Sequence, residues 1–207
     1  MKKTTLVLAM TGVMVSGHAS AEALGFAFGR SANVANYAGL SVEGAAQVGD
    51  LDTLGARATV KINDRAAVYG DFGIADFDYG DDGLTLGGGL IYSIPGLLPD
   101  LDTALTGSFH YASGDDIDWN NIALRGVVSG DVPTRDVTLT WYGNVGLDVI
   151  SWDADNLCNG NGCGDDSDTE VALGGGVILP VGPGEAYGGL EYIDDVLLAV
   201  GYRVGLQ

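Results

Sequence analysis

Val196–Leu206 reads VLLAVGYRVGL. Val196, Leu198, Val200, Tyr202, Val204 and Leu206 share one parity, and Leu197, Ala199, Gly201, Arg203 and Gly205 share the other. Side chains of a strand alternate between its two faces, so one face here is wholly apolar. In a water-soluble sheet that face would be the core and the opposite one would carry Lys, Glu or Thr. A second face of Gly, Ala and one Arg suits the inside of a narrow barrel wall whose apolar face meets lipid.

The same two-residue period runs back through the chain as far as Tyr37. Leu54, Ala56, Ala58, Val60 and Ile62 oppose Arg57, Thr59 and Lys61; Leu84, Leu86, Leu90, Tyr92 and Ile94 oppose Thr85, Ile91 and Ser93. Val137–Val149 is the clearest case, with Leu139, Trp141, Val145 and Leu147 set against Thr140, Tyr142, Asn144 and Asp148. Turn chemistry separates these runs. Asn63-Asp64 is a hairpin signal and Pro95–Asp100 is a stretch no central strand holds. Gly130–Asp136, Trp152–Asp168 and Pro180–Gly184 read as further connections. About ten strands result, forming an all-β, antiparallel, up-and-down transmembrane barrel over residues 37–207. Eight strands is the alternative, if the weak Ala186–Tyr192 run is not a strand. Counting Leu24–Gly29 as a strand would make the number odd, so residues 22–36 are read as a lead-in segment.

Composition agrees. The 207 residues suffice for one domain, and 34 glycines are more than twice the average share of about 7%. Glycine at that frequency within alternating strands predicts a narrow, crowded lumen. Lys2 and Lys3, the apolar run Leu6–Val15 and Ala19-Ser20-Ala21 form a secretory signal, residues 1–21, cleaved after Ala21. Its loss takes the formal net charge from −19 to −21, which excludes nucleic acid as a partner. Acids crowd the odd-numbered connections, among them Asp50, Asp76, Asp81, Asp115, Asp153, Asp165 and Asp194. The even-numbered ones hold Arg65, Arg135 and most prolines. That asymmetry predicts an acidic extracellular rim and short periplasmic turns. Tyr92, Trp141 and Tyr202 at one set of strand ends, with Tyr111 and Tyr192 at the other, predict aromatic girdles at the two membrane interfaces.

Gly201, Val204 and Leu206 have the glycine–hydrophobe–hydrophobe spacing that resembles the C-terminal assembly signal of bacterial outer-membrane barrels. The ending departs from it in stopping at Leu206-Gln207 and in having Ala199 where a polar residue is usual. Residues 37–206 as a whole resemble the small Gram-negative outer-membrane barrels of the OmpA-like and opacity-like superfamily. The resemblance implies a location in the cell outer membrane, with lipid and the barrel-assembly machinery as partners, and a monomer. It does not name a role, since fold does not imply function.

The inward parity collects Glu43, Arg57, Lys61, Tyr69, Asp71, His110, Arg125, Tyr142, Asn144, Asp148, Glu170, Glu185, Tyr187, Glu191 and Arg203. Charges inside so narrow a barrel must be paired and hydrogen-bonded, which predicts a polar plug and a structural or surface-interaction role. A narrow channel is the alternative, and the excess of acids over bases would then favour cations. An exported soluble β-sandwich binding protein is the third reading. His110 stands near Ser108 and Ser113 without a motif for a positioned nucleophile, so no enzymatic activity is expected. No cofactor is implied. The acidic connections lack calcium-loop spacing, leaving at most weak divalent-cation binding. Cys158 and Cys163, in one glycine-rich loop on the oxidising side of the inner membrane, predict a disulfide.

Overall fold

The computed structural model describes residues 29–49, 51–77, 81–113, 118–135, 137–153, 166–193 and 195–206. The signal segment, residues 22–28 of the lead-in and the Cys158–Cys163 pair lie outside the described residues.

Ten strands follow one another: β1 (Leu40–Val48), β2 (Leu51–Lys61), β3 (Ala66–Phe77), β4 (Asp81–Ser93), β5 (Asp102–Ser113), β6 (Asp118–Pro133), β7 (Thr138–Asp153), β8 (Asp166–Val181), β9 (Gly184–Ile193) and β10 (Asp195–Leu206). Each is antiparallel to its sequence neighbours, and β1 closes on β10, pairing Leu40 with Leu206 and Val48 with Leu198. Closure leaves no unpaired edge, which is the condition for strands to cross hydrocarbon. Ala186–Tyr192 lies within β9, so the number is ten rather than eight.

Burial runs inside out. Leu124 is 63% exposed, Phe72 64%, Val145 55% and Leu198 48%, while Asp148 is 0% exposed and Glu43 4%. The apolar parity faces outward on every strand, from Leu40 and Val42 on β1 to Tyr202 and Leu206 on β10. An apolar exterior around a charged interior is the arrangement lipid demands, because hydrocarbon and not water is the outer solvent.

The connections at residues 62–65, 94–101, 134–137 and 182–183, with the N-terminal segment, mark the proximal end; the other connections mark the distal end. The Asn63 side chain accepts from the Arg65 and Ala66 amides at 2.8 and 3.0 Å, closing the β2–β3 hairpin as its sequence predicts. Gly182 turns β8 into β9 at φ +58°, where a side chain would be strained.

Several boundaries differ from the sequence reading. The first strand begins at Leu40, not Tyr37. Val34–Asn36 is instead one 3-10 turn, capped by the Asn33 side chain accepting from the Ala35 amide at 3.2 Å. β6 continues through the expected Gly130–Asp136 turn to Pro133, pairing Asp131 with Thr140 and Pro133 with Thr138. There Thr140 Oγ1 donates to Asp131 at 2.6 Å, so polar side chains extend the ladder past the apolar band. Proline is tolerated because it occupies the last position of the strand. Likewise β7 and β8 pair as far as Trp152 and Asp166, shortening the expected Trp152–Asp168 loop at both ends.

The interior is also layered along the axis. Toward the distal end several inward residues are apolar: Ile150, Ala172, Ile193 and Leu197 pack together against Trp119, and Trp119 also covers Ala75 and Ala112, while Gln47 and Thr53 are buried there as well. The polar lumen expected from sequence is thus accompanied by apolar clusters, one at Ile150–Leu197 toward the distal end and one around Ala32, Val34, Ala67 and Ile91 toward the proximal end.

Candidate functional site

The lumen is organised by register. Glu185 on β9 lies directly opposite Arg203 on β10, Arg203 opposite Glu43 on β1, Glu43 opposite Arg57 on β2, and Arg57 opposite Asp71 on β3. The row continues through Gly87 on β4 to His110 on β5 and Asn121 on β6. Charges alternate along it, and each reaches the next. Arg203 Nη2 lies 2.7 Å from Glu185 and its Nη1 3.3 Å from Glu43; Arg57 Nη1 lies 3.7 Å from Glu43 and its Nη2 2.7 Å from Asp71. His110 Nε2 stands 3.3 Å from Asp71. Since barrel strands tilt, this row climbs as it circles, from the proximal mouth at β9 toward the distal half at β6.

Gly87 explains how His110 reaches Asp71 across an intervening strand. A Cβ at that position would run into the imidazole, and would lie 2.6 Å from Asp71 Oδ1. Glycine leaves the gap that the two side chains share. Gly201 similarly seats the Tyr187 ring, and Gly176 with Gly189 seat Tyr142, whose phenol lies across the wall of β8 and β9. Crowding by large side chains laid over glycines is thus one physical reason for the glycine content.

A second group sits beside the row. Arg125 donates to Asp148 through Nε at 3.0 Å and Nη2 at 2.6 Å, and bonds Glu191 through Nη1. Asn121 joins it by donating to Asp148 at 3.1 Å. Tyrosines stack on the arginines: Arg57 lies 4.3 Å from the Tyr69 ring centre and Arg203 5.6 Å from that of Tyr187. Asn144 is buried, with its amide over Gly174. Glu170 is partly buried directly opposite Asp148. Lys61 and Glu185 lie at the proximal mouth; Lys61 pairs with exposed Asp64 at 3.1 Å. Glu43, Arg57, Asp71, His110, Arg125, Asp148, Glu191 and Arg203 are joined in these buried contacts, and Glu185 meets Arg203 from the exposed mouth. The side chains of Glu43, Arg57, Asp71, Asp148 and Glu191 are each 3% exposed or less. These side chains therefore have almost no contact with solvent, from the lumen or from outside.

The N-terminal segment supplies what the sequence reading missed. Residues 29–37 enter the proximal mouth as a strap. Arg30 donates through Nη2 to Glu43 at 2.8 Å and to Ser41 at 3.0 Å, and stands 5.0 Å from the Tyr37 ring centre. The Ala32 amide donates to Ser129 Oγ at 2.8 Å and the Val34 amide to Ser93 Oγ at 2.9 Å. Ser93 in turn donates to the Ala32 carbonyl at 2.5 Å. Asn33 bonds Asp102, Lys61 Nζ bonds the Ala35 carbonyl, and the Gly29 carbonyl accepts from Arg203. Ala32 and Val34 are both 0% exposed. Burial pushes the Tyr37 hydroxyl up to about 12, and the neutral phenol donates to the Ser31 carbonyl at 2.7 Å.

The aromatics Tyr92, Trp141 and Tyr202 sit toward the proximal strand ends, Tyr111 and Tyr192 toward the distal ends, all on the outward parity. Tyr202 donates to the Val181 carbonyl at 2.9 Å and Tyr111 to Asp118 at 2.9 Å. Gly201, Val204 and Leu206 lie on β10, in its seam with β1, where Val204 faces Val42 and Leu206 faces Leu40.

No family model and no curated protein matches the chain. Among solved structures it is similar to a bacterial polysaccharide outer membrane secretin (TM-score 0.46, 12% identity, covering 76% of this chain and 57% of that one). The chain therefore spans little more than half of that protein. It is also similar to the KdgM porin in complex with disordered oligogalacturonate (TM-score 0.41, 10% identity, 81% and 99% covered). A third is the Acinetobacter baumannii outer membrane protein Omp33 (TM-score 0.35, 10% identity, 82% and 98% covered).

Proposed function

We propose that this chain is an integral outer-membrane barrel of a Gram-negative cell whose lumen is stoppered, with a structural or surface-interaction role. The observation that supports it best is the near-complete burial of the lumen charges between the strap at one end and the Ile150–Ile193–Leu197 cluster at the other. The proximal end is then periplasmic and the distal end, with its acidic connections, extracellular. Outer-membrane lipid and the barrel-assembly machinery are its partners, and it works as a monomer. The role is not catalytic: His110 is committed to Asp71, which is itself held by Arg57, so the imidazole orients wall charges rather than a nucleophile. Efflux from liposomes tests the reading. Proteoliposomes should retain a small neutral sugar and a small cation as well as protein-free vesicles do. Release of either at rates that scale with protein would replace the stopper by a narrow channel.

A further inference from the structure

We propose that residues 29–37 form a displaceable strap, latched by Arg30, which swings out of the proximal mouth while the barrel stays folded. The inference rests on the closed-lumen reading and adds a moving part to it. Three features of the strap carry it.

Its backbone anchors are polar and renewable by water. The Ala32 and Val34 amides are bonded to wall serine hydroxyls, and the apolar hold on the segment is confined to the small side chains of Ala32 and Val34, buried in one cluster with Ala67, Ile91 and Ala104, and to Tyr37 packed against it. Ser93 and Ser129 lie near the proximal ends of β4 and β6, where solvent can replace the strap's backbone groups. One flank of the strap is also open. A cavity of about 210 Å³ lies between it and the proximal connections, lined by Ala32, Asn33, Ala35, Arg65, Ser93 and Asp102 among others. Finally, the wall does not need the strap's charge. Glu43 keeps Arg57 at 3.7 Å and Arg203 at 3.3 Å when Arg30 leaves, so withdrawal strands no buried carboxylate. The guanidinium goes from a buried pair to water, where it is well solvated. The hinge falls at Tyr37–Ala38, because Gly39 is already tied to β2 through its carbonyl and the Lys61 amide at 2.9 Å.

Arg30 is the latch because it alone joins the strap to the charged row by a side-chain ion pair, Glu43 being the partner. Opening exposes Ser41, Ser93, Ser129 and Glu43 to the periplasmic side together with apolar neighbours of Ala32 and Val34 such as Ala67, Ile91 and Ala104, a mixed vestibule under the Arg57–Asp71 pair. The distal apolar cluster is untouched by this movement.

Thiol accessibility tests the strap in the full mature chain, with Cys158→Ser and Cys163→Ser removing competing thiols. Val34→Cys reports on the strap. Ala172→Cys, equally buried in the distal cluster, reports on the barrel. Each is reacted with a bulky water-soluble maleimide in lipid nanodiscs, after the folded band is verified on an unboiled gel. The Val34→Cys thiol should react through local opening while the Ala172→Cys thiol stays protected. Arg30→Ala should raise the Val34→Cys rate by about tenfold or more, with no change at Ala172→Cys. Protection of both thiols regardless of Arg30, or rates that rise together at both, would overturn the strap. An unchanged Val34→Cys rate on losing Arg30 would overturn the latch. Failure of the closed-lumen reading shows separately, as solute release from wild-type proteoliposomes.

Discussion

Removing Glu43 strips the lumen of the one carboxylate that Arg30, Arg57 and Arg203 share. The consequences differ among the three. Arg57 retains Asp71 at 2.7 Å and Arg203 retains Glu185 at 2.7 Å, whereas Arg30 is left with the Ser41 hydroxyl at 3.0 Å and the Tyr37 ring. Arg30 is 3% exposed, so Glu43→Ala buries a cation with no anion beside it. Breaking a buried pair from one side costs on the order of 3–5 kcal/mol while the stranded charge stays buried, and release of the strap, which carries Arg30 into water, makes that figure the upper bound here. The comparison is Glu185→Ala, whose side chain is 50% exposed at the mouth and screened by water. That change costs about 1 kcal/mol or less. Urea titration of the barrel folded in short-chain lipid bilayers, followed by tryptophan fluorescence and by the folded band on unboiled gels, measures both. Adding Arg30→Ala to Glu43→Ala removes the orphaned cation and should restore most of the loss, a coupling that a double-mutant cycle reads directly. Equal costs for Glu43→Ala and Glu185→Ala would refute the reasoning. A double variant no more stable than Glu43→Ala would show that Arg30 is not the stranded charge.

Other substitutions probe the wall itself. Val145 faces lipid and Asn144 the lumen, so Val145→Arg should cost about 2–4 kcal/mol at the bilayer midplane and impair assembly more than Asn144→Arg. Folded fractions on unboiled gels compare them, and equal effects would contradict the strand phase. Gly87→Ala drives a methyl into the His110–Asp71 contact and should cost about 1–3 kcal/mol by overpacking, read in the same urea titration; a neutral outcome would contradict the role given to Gly87. Replacing both Cys158 and Cys163 by Ser should leave barrel unfolding nearly unchanged while speeding proteolysis of their loop, since so short a ring contributes at most about 2 kcal/mol. Mass spectrometry finding both thiols free in the native protein would dispose of that disulfide.

The strand phase was legible because lipid inverts the usual rule. With hydrocarbon outside, apolar residues mark the exposed face, and parity alone separates Val145 from Asn144 and Leu198 from Leu197. Parity did not carry the chemistry of each inward position. Leu197, Ile150 and Ile193 share the inward face with Arg203, Asp148 and Glu191, yet they form an apolar distal cluster. Asn121 and Gln47 also lie on that parity and are buried, but a neutral amide gives no sign of its partner; Asn121 is found only through Asp148. The alternating pattern ends before the strands do where side-chain hydrogen bonds, such as Thr140 to Asp131, prolong pairing beyond the apolar band. Arg30 had no periodic signal at all. It precedes the alternating region, and its place depends on a chain reversal at Val34–Asn36 that inserts the strap into a mouth assembled from β1, β4, β6 and β10. Only the closed barrel brings those strands around it.

Single-channel recording of the mature wild-type protein in planar lipid bilayers tests the closed lumen most directly. With the strap, the Arg57–Asp71 row and the distal cluster all in place, the account predicts a flat baseline across the voltage range over which the bilayer itself is stable. Reproducible unitary steps that scale with inserted protein, and above all steps that prefer cations, would contradict it.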